Sequence, residues 1–129
     1  MKKINFIVEK TGTGFSAYHE ENGQILAATT GSNIPELKTN ILESFNLFAG
    51  HQKRQPITID QVALKFDITS FFESYKEINA SALGRRIGMN KSLISEYVNG
   101  KRTPSEKQVQ RILTGIKQLG HELTELDIA

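Results

Sequence analysis

The chain changes its hydrophobic rhythm part-way along. Its first half carries short stretches of alternating apolar and polar residues around one helical stripe, and from Thr69 onward only the helical spacing remains. Lys3 to Glu9 is rich in β-branched and aromatic residues and runs into the turn cluster Lys10-Thr11-Gly12-Thr13-Gly14. Phe15 to His19 reads as a second strand and Gln24 to Thr30 as a third. Asn22-Gly23 lies between them, and both residues tolerate the positive φ that a two-residue hairpin demands. Asn33 is placed to cap a helix with Glu36 three residues on. Ile34, Leu37, Ile41, Phe45 and Phe48 form its apolar stripe, and Gly50 is expected to end it. After a polar loop, His51 to Pro56, a fourth strand is predicted. There Val62, Leu64, Phe66 and Ile68 alternate with Ala63, Lys65 and Asp67. Ile57 and Ile59 have the opposite parity, which predicts a bulge or bend near Asp60-Gln61.

From Thr69 the elements are helices. Thr69 is placed to cap a short one through Ile78 that carries Phe71, Phe72 and Tyr75. Asn79 caps the next, on which Leu83 and Ile87 share a face, Gly84 allows a close crossing and Gly88 suits a left-handed terminus. Asn90 follows as a cap. The helix from Lys91 to Asn99 divides cleanly: Leu93, Ile94, Tyr97 and Val98 fall on one half, and Lys91, Ser92, Ser95, Glu96 and Asn99 on the other. Asn99-Gly100 stops it, and Lys101-Arg102 come next. A last helix is expected to start with Thr103 as cap, Pro104 in the first turn and Glu106 completing a capping box. Its core face is Val109, Ile112, Leu113, Ile116 and Leu119, with Gly120 at its end. The expected fold class is therefore α+β: a β-β-β-α-β unit over residues 1–68, an all-α domain over 69–120, and a tail over 121–129. Leu123, Leu126 and Ile128 in that tail either add a dimer contact or fold back on their own bundle.

Composition narrows the function. In 129 residues, 38% hydrophobic and 23% charged, no apolar run exceeds four, whereas a membrane span needs about 20. The opening MKKINFIVEK has no signal-peptide stretch, so a soluble cytoplasmic protein is expected, associated with the nucleoid if it binds DNA. The absence of cysteine excludes thiol catalysis, disulfides and cysteine-ligated zinc. His19, His51 and His121 have no partners at metal-ligand spacing, and neither metal nor cofactor is expected. Glu9, Glu20, Glu21, Asp60 and Asp67 do not converge as a metal-dependent nuclease would require; only Glu9 and Asp67 fall on predicted strands, facing outward or at an end. The protein is expected not to be an enzyme.

Charge is distributed unevenly. Ser81 to Lys117 contains eight basic and two acidic residues, a net of +6, while the remainder nets −4. A basic segment carrying a clean polar helix face suits nucleic acid. A helix fits the major groove, where short donors and acceptors can read base edges, and adjacent cations can take phosphates.

The run L-G-x-x-I-G-x-x-x-x-x-I-S-x-Y-x-x-G-K-R-x-P-S resembles the Xre/Cro-like helix-turn-helix family, with Leu83, Gly88, Ile94, Ser95, Gly100, Lys101, Arg102 and Pro104 at its landmarks. That resemblance implies a lambda repressor-like domain, with Ser81 to Ile87 as positioning helix and Lys91 to Asn99 as recognition helix. It puts Lys91, Ser92 and Glu96 where relatives touch bases, and Asn90, Ser95, Lys101 and Arg102 near the backbone or groove rim, beside Asn99 at the helix end. Gly84 stands where the family usually has alanine, and Val98 where an acid is frequent. The first half is similar to the HicB antitoxin family through Gly14, Ala17, Tyr18, Thr29, Gly31, Glu36 and Leu37. This second resemblance implies a partial RNase H-like unit that covers a small basic ribonuclease toxin, HicA, while the other half represses the operon. The first half, read as acidic because the chain outside Ser81–Lys117 nets −4, suits such a partner. Double-stranded operator DNA and a second copy of the chain are the other expected partners, since paired half-sites are usually read by a dimer. The alternative is a free-standing helix-turn-helix repressor whose N-terminal unit senses a ligand.

Overall fold

The computed structural model describes residues 2–129 and divides into two compact units, one ending at Phe71 and the other running from Phe72 to Ala129. The first contains β1 (Ile4–Lys10), β2 (Phe15–Glu21), β3 (Gln24–Gly31), α1 (Ile34–His51) and β4 (Val62–Phe66). The strands form one sheet in the order β3-β2-β1-β4. β1 is antiparallel to β2 and parallel to β4, so α1 is the crossover that brings the chain back alongside its first strand. The expected β-β-β-α-β order is the observed one.

Alternation decides which face is covered. Phe6 and Val8 of β1, Phe15 and Ala17 of β2, and Ala27 of β3 are buried with Leu37, Ile41, Phe45 and Ala49 of α1. Their neighbours Asn5, Ile7 and Glu9 look the other way and are exposed. Asn22 and Gly23 both take positive φ, 54° and 78°, in the two-residue hairpin turn that pairs Glu21 with Gln24. The outer edge of β3 is partly closed from the side: Asn40 Nδ2 donates to Thr30 O at 2.8 Å and Ser44 Oγ to Ala28 O at 3.4 Å.

Several local features differ from the sequence expectation. α1 does not stop at Gly50; it runs to His51, and Lys53 at φ 56° takes the left-handed position. Arg54 N then reaches back to Ala49 O at 2.8 Å, which satisfies a carbonyl the helix end leaves open. The bend near Asp60-Gln61 is a single 3-10 turn, Ile59–Gln61, which leaves Ile57 buried and Ile59 exposed. A register shift lies instead between His19 and Glu20. Ile68 does not extend β4. It opens α2 (Ile68–Ser74), because the Asp67 carboxylate accepts from Ser70 N at 2.7 Å and so caps the helix two residues before Thr69.

A polar chain ties β2 to the loop after α1. Nδ1 of the buried His19 lies 2.8 Å from Asn5 O and Nε2 2.8 Å from Glu21 Oε2, between the rings of Phe6 and Phe45. Glu21 in turn receives both terminal nitrogens of Arg54, at 3.1 and 3.2 Å. The Arg54 hydrogen bond, then the one to His19, pulls the Glu21 carboxyl from 4.5 down to about 2. A carboxyl depressed in the folded state stabilises above its unfolded pKa and loses that contribution as pH falls through the folded value. Glu21→Gln should therefore lower the urea midpoint of the full chain at pH 7, and the gap to wild type should close between about pH 4.5 and 2. A gap unchanged over that interval would show that the carboxylate's charge contributes nothing here.

Candidate nucleic-acid interface

Two short helices, α3 (Ala80–Ile87) and α4 (Lys91–Val98), are fixed at both ends by local chemistry. Asn79 Oδ1 accepts from Ala82 N at 3.0 Å, and Asn90 Oδ1 from Ser92 N at 2.8 Å. Each helix closes with the same pair of reverse bonds around a left-handed glycine. At Gly88 (φ 72°) they are Met89 N to Gly84 O at 2.8 Å and Gly88 N to Arg85 O at 3.3 Å. At Gly100 (φ 73°) they are Lys101 N to Glu96 O at 2.9 Å and Gly100 N to Tyr97 O at 3.2 Å. Met89, just past the first glycine, is buried; Lys101, just past the second, is exposed.

The core of this unit is small: Phe72, Leu83, Met89, Ile94, Tyr97 and Ile112 are its buried apolar residues. Ile94 seats over Gly84, where an added Cβ would stand 3.2 Å from Ile94 Cγ2. With Ile94 and Tyr97 inward, the other half of α4 faces out: Lys91, Ser92, Ser95 and Asn99 are exposed and Glu96 half-exposed.

The last helix, α5 (Glu106–Thr124), begins and ends differently from expectation. Ser105, not Thr103, is the cap, accepting from Gln108 N at 3.2 Å. The helix starts two residues later than expected, at Glu106, and that shift removes the Thr103–Glu106 box. Gly120 does not end the helix. Four more residues continue it, and Glu122 takes both terminal nitrogens of Arg86 on α3, at 2.8 and 3.0 Å. That pairing lowers the Glu122 carboxyl and raises the Arg86 guanidinium, the hydrogen bond outweighing simple charge attraction. Arg111 of α5 donates to Ile87 O at 2.9 Å and Gly88 O at 3.3 Å, so a cation sits at the C-terminal end of α3. Of the expected core face, Ile112 is fully buried and Leu113 is 36% exposed; Gly115 is buried in its place.

The eight residues singled out from the sequence come together on one stretch, but not in one condition. Asn90 spends its side-chain oxygen on the cap. Ser95 Oγ accepts from Asn99 Nδ2 at 3.3 Å. Glu96 Oε2 meets Arg102 Nε at 3.0 Å. Among the described residues, the Lys91 and Lys101 ammonium groups and the Ser92 hydroxyl have no protein partner. Sequence reasoning missed the internal roles of Arg86, Arg102 and Arg111, which take three of the eight cations in the basic segment. Nothing local marks those pairings, because their partners lie up to 36 residues away. Among the described residues no group of three or more His, Cys, Asp or Glu is gathered to hold a metal ion, and no helix is long and apolar enough to cross a membrane.

Residues 76–117 match a helix-turn-helix family model, of the Xre/Cro type, which spans α3, α4 and the first part of α5. This part of the chain is a helix-turn-helix, and the match supports a DNA-binding transcription regulator. No curated protein and no solved structure matches the chain.

The packing of α5 on α3 rests on Gly115, where an added Cβ would lie 2.4 Å from Ile87 Cγ2. Isoleucine is stiff in a helix and cannot swing aside freely. Gly115→Ala should destabilise this unit by about 1–3 kcal/mol in urea denaturation, overriding the gain of about 1 kcal/mol in helix propensity. A midpoint equal to or above wild type would contradict the close crossing.

Proposed function

We propose that the chain is a DNA-binding antitoxin of the HicA/HicB type, which represses its own operon through the helix-turn-helix and blocks a ribonuclease toxin through its N-terminal unit, without catalysis of its own. The observation that carries the DNA half is the outward polar side of α4, with Lys91, Ser92 and Lys101 unengaged on or just beyond it. In this reading Lys91 and Ser92 meet base edges in the major groove. Asn90, Ser95, Asn99, Lys101 and Arg102 lie along the backbone or rim.

The toxin half is supported by the β-β-β-α-β order that the HicB resemblance implies for a partial RNase H-like unit. Charge does not add to it. Residues 1–68 hold seven basic and seven acidic side chains, and the excess acid lies at Glu73, Glu77, Glu122, Glu125 and Asp127. The expected electrostatic match to a basic partner is therefore withdrawn.

A homodimer completes the reading, because two-fold operators present two half-sites about 34 Å apart. The surface offered for it continues the core stripe of α5: after Ile112 and Ile116 it passes to Leu119 and Leu123 and, just past the helix end, to Leu126; Leu123 is 58% and Leu126 66% exposed.

Against the duplex upstream of its own gene, Lys91→Ala and Ser92→Ala should each cost about 1–3 kcal/mol relative to an unrelated duplex. Equal weakening on both duplexes would remove these residues from base reading. Co-expression with the product of the adjacent open reading frame should give a complex that is lost when residues 1–68 are deleted; retention after deletion would overturn the toxin assignment. Replacing Leu123 and Leu126 with Ser should shift the mass measured by light scattering from dimer to monomer. An unchanged mass would place the dimer surface elsewhere.

A further inference from the structure

We propose that Glu96 is a positioning residue, which holds Arg102 so that its two terminal nitrogens form a fork for one DNA phosphate at the C-terminal end of α4. The inference rests on the DNA-binding reading above and departs from it at one point, since family resemblance alone puts Glu96 against a base. A carboxylate facing base edges must accept from an amino group such as cytosine N4. Here Oε2 is already engaged, 3.0 Å from Arg102 Nε. The ion pair lies on the Nε side of the guanidinium and leaves the four N–H donors of its terminal nitrogens open, in the planar arrangement that suits a phosphate.

The backbone makes Glu96 the anchor of the same turn. Its carbonyl accepts from Lys101 N at 2.9 Å and from Arg102 N at 3.3 Å, around the left-handed Gly100. One residue thus fixes both where the chain carrying Arg102 leaves the helix and where its guanidinium points. The arrangement also answers an electrostatic difficulty. A bare acid beside a phosphate repels it, whereas an acid neutralised by an arginine that itself bridges to the phosphate does not. Lys101 carries no such brace and acts as a loose point charge beside the fixed fork. With the two side chains 41% and 60% exposed, the pair contributes little to folding, so its loss is read in binding rather than in Tm.

Four accounts of Glu96 predict different outcomes for one experiment. The full chain is titrated by fluorescence anisotropy against the duplex upstream of its gene at several salt concentrations. The proteins are wild type, Glu96→Ala, Glu96→Gln, Arg102→Ala and the Glu96→Ala/Arg102→Ala double variant. Positioning predicts that Glu96→Ala and Arg102→Ala each weaken binding several-fold and each lower the salt slope by about one unit. The double variant should be no weaker than Arg102→Ala, and Glu96→Gln, which removes the charge that pairs with Arg102, should weaken binding as Glu96→Ala does. Tighter binding by Glu96→Ala at unchanged slope would show an acid that merely repels. Loss of preference at a single base pair at unchanged slope would show a base reader. Additive losses in the double variant would show two independent contacts. Any of these three overturns the proposal while leaving DNA binding intact. Wild-type protein that binds no duplex in a salt-dependent way would overturn both.

Discussion

The way α4 presents itself depends on the seat of Ile94. The side chain is 1% exposed and lies over Gly84, whose missing Cβ allows α3 and α4 to approach. A helix of eight residues has two full turns and little intrinsic stability, so its rotation about its own axis is set by what it buries. Once Ile94 and Tyr97 are inside, 100° per residue leaves Ser92, Ser95 and Asn99 no direction but outward. The two left-handed glycines then fix the ends. Gly88 turns the chain into the Asn90 cap, and Gly100 delivers Lys101 and Arg102 beside the polar face. The chemistry of the interface is thus a consequence of packing on the opposite side of the helix.

What the chain discloses before folding is the part governed by period and by single-residue backbone preference. Alternation in Val62 to Phe66, the Asn22-Gly23 turn and the division of α4 into halves were all legible because each depends on neighbours within a few positions. Caps were less legible, since several residues compete for one role. Asp67 displaced Thr69 and Ser105 displaced Thr103, in each case because the successful oxygen stands three residues before an open N–H. Helix ends were misjudged at Gly50 and Gly120 for a related reason. Glycine permits a left-handed exit but does not compel one, and each helix ran on while neighbouring groups still satisfied it. The long-range pairs, Arg86 with Glu122 and Arg111 with the end of α3, leave no trace in spacing at all.

Those pairs change what the charge of the segment means. A net of +6 between Ser81 and Lys117 suggests a broad cationic surface, yet Arg86 and Arg111 are bound within the fold and Arg102 is paired with Glu96 on one side. Arg111 neutralises the carbonyl end of α3, and Arg86 braces the distal part of α5. Surface pairs of this kind are screened by solvent and contribute little to stability, so their weight lies in geometry. The cations without internal partners among the described residues, Lys91 and Lys101 among them, carry the part of the field open to a polyanion.

In the proposed dimer, stability and association would be coupled. The first unit closes its core around Phe6, Phe15 and Phe45 under a single long helix, with the His19–Glu21–Arg54 chain fixing one end. The helix-turn-helix unit has only six buried apolar side chains, close to the limit at which a small domain holds together alone. The end of its longest helix and the residues just past it carry apolar side chains beyond that core, at Leu123 and Leu126, where they gain little from folding a single copy. A partner that covers them adds burial to the folded state alone, and such linkage stabilises in proportion to the logarithm of partner concentration. A two-fold site on DNA would act in the same direction, by holding two copies side by side. In the proposed complex, occupancy of the duplex, association and folding of this unit would reinforce one another, and a unit of modest core would be most stable where its surface is used.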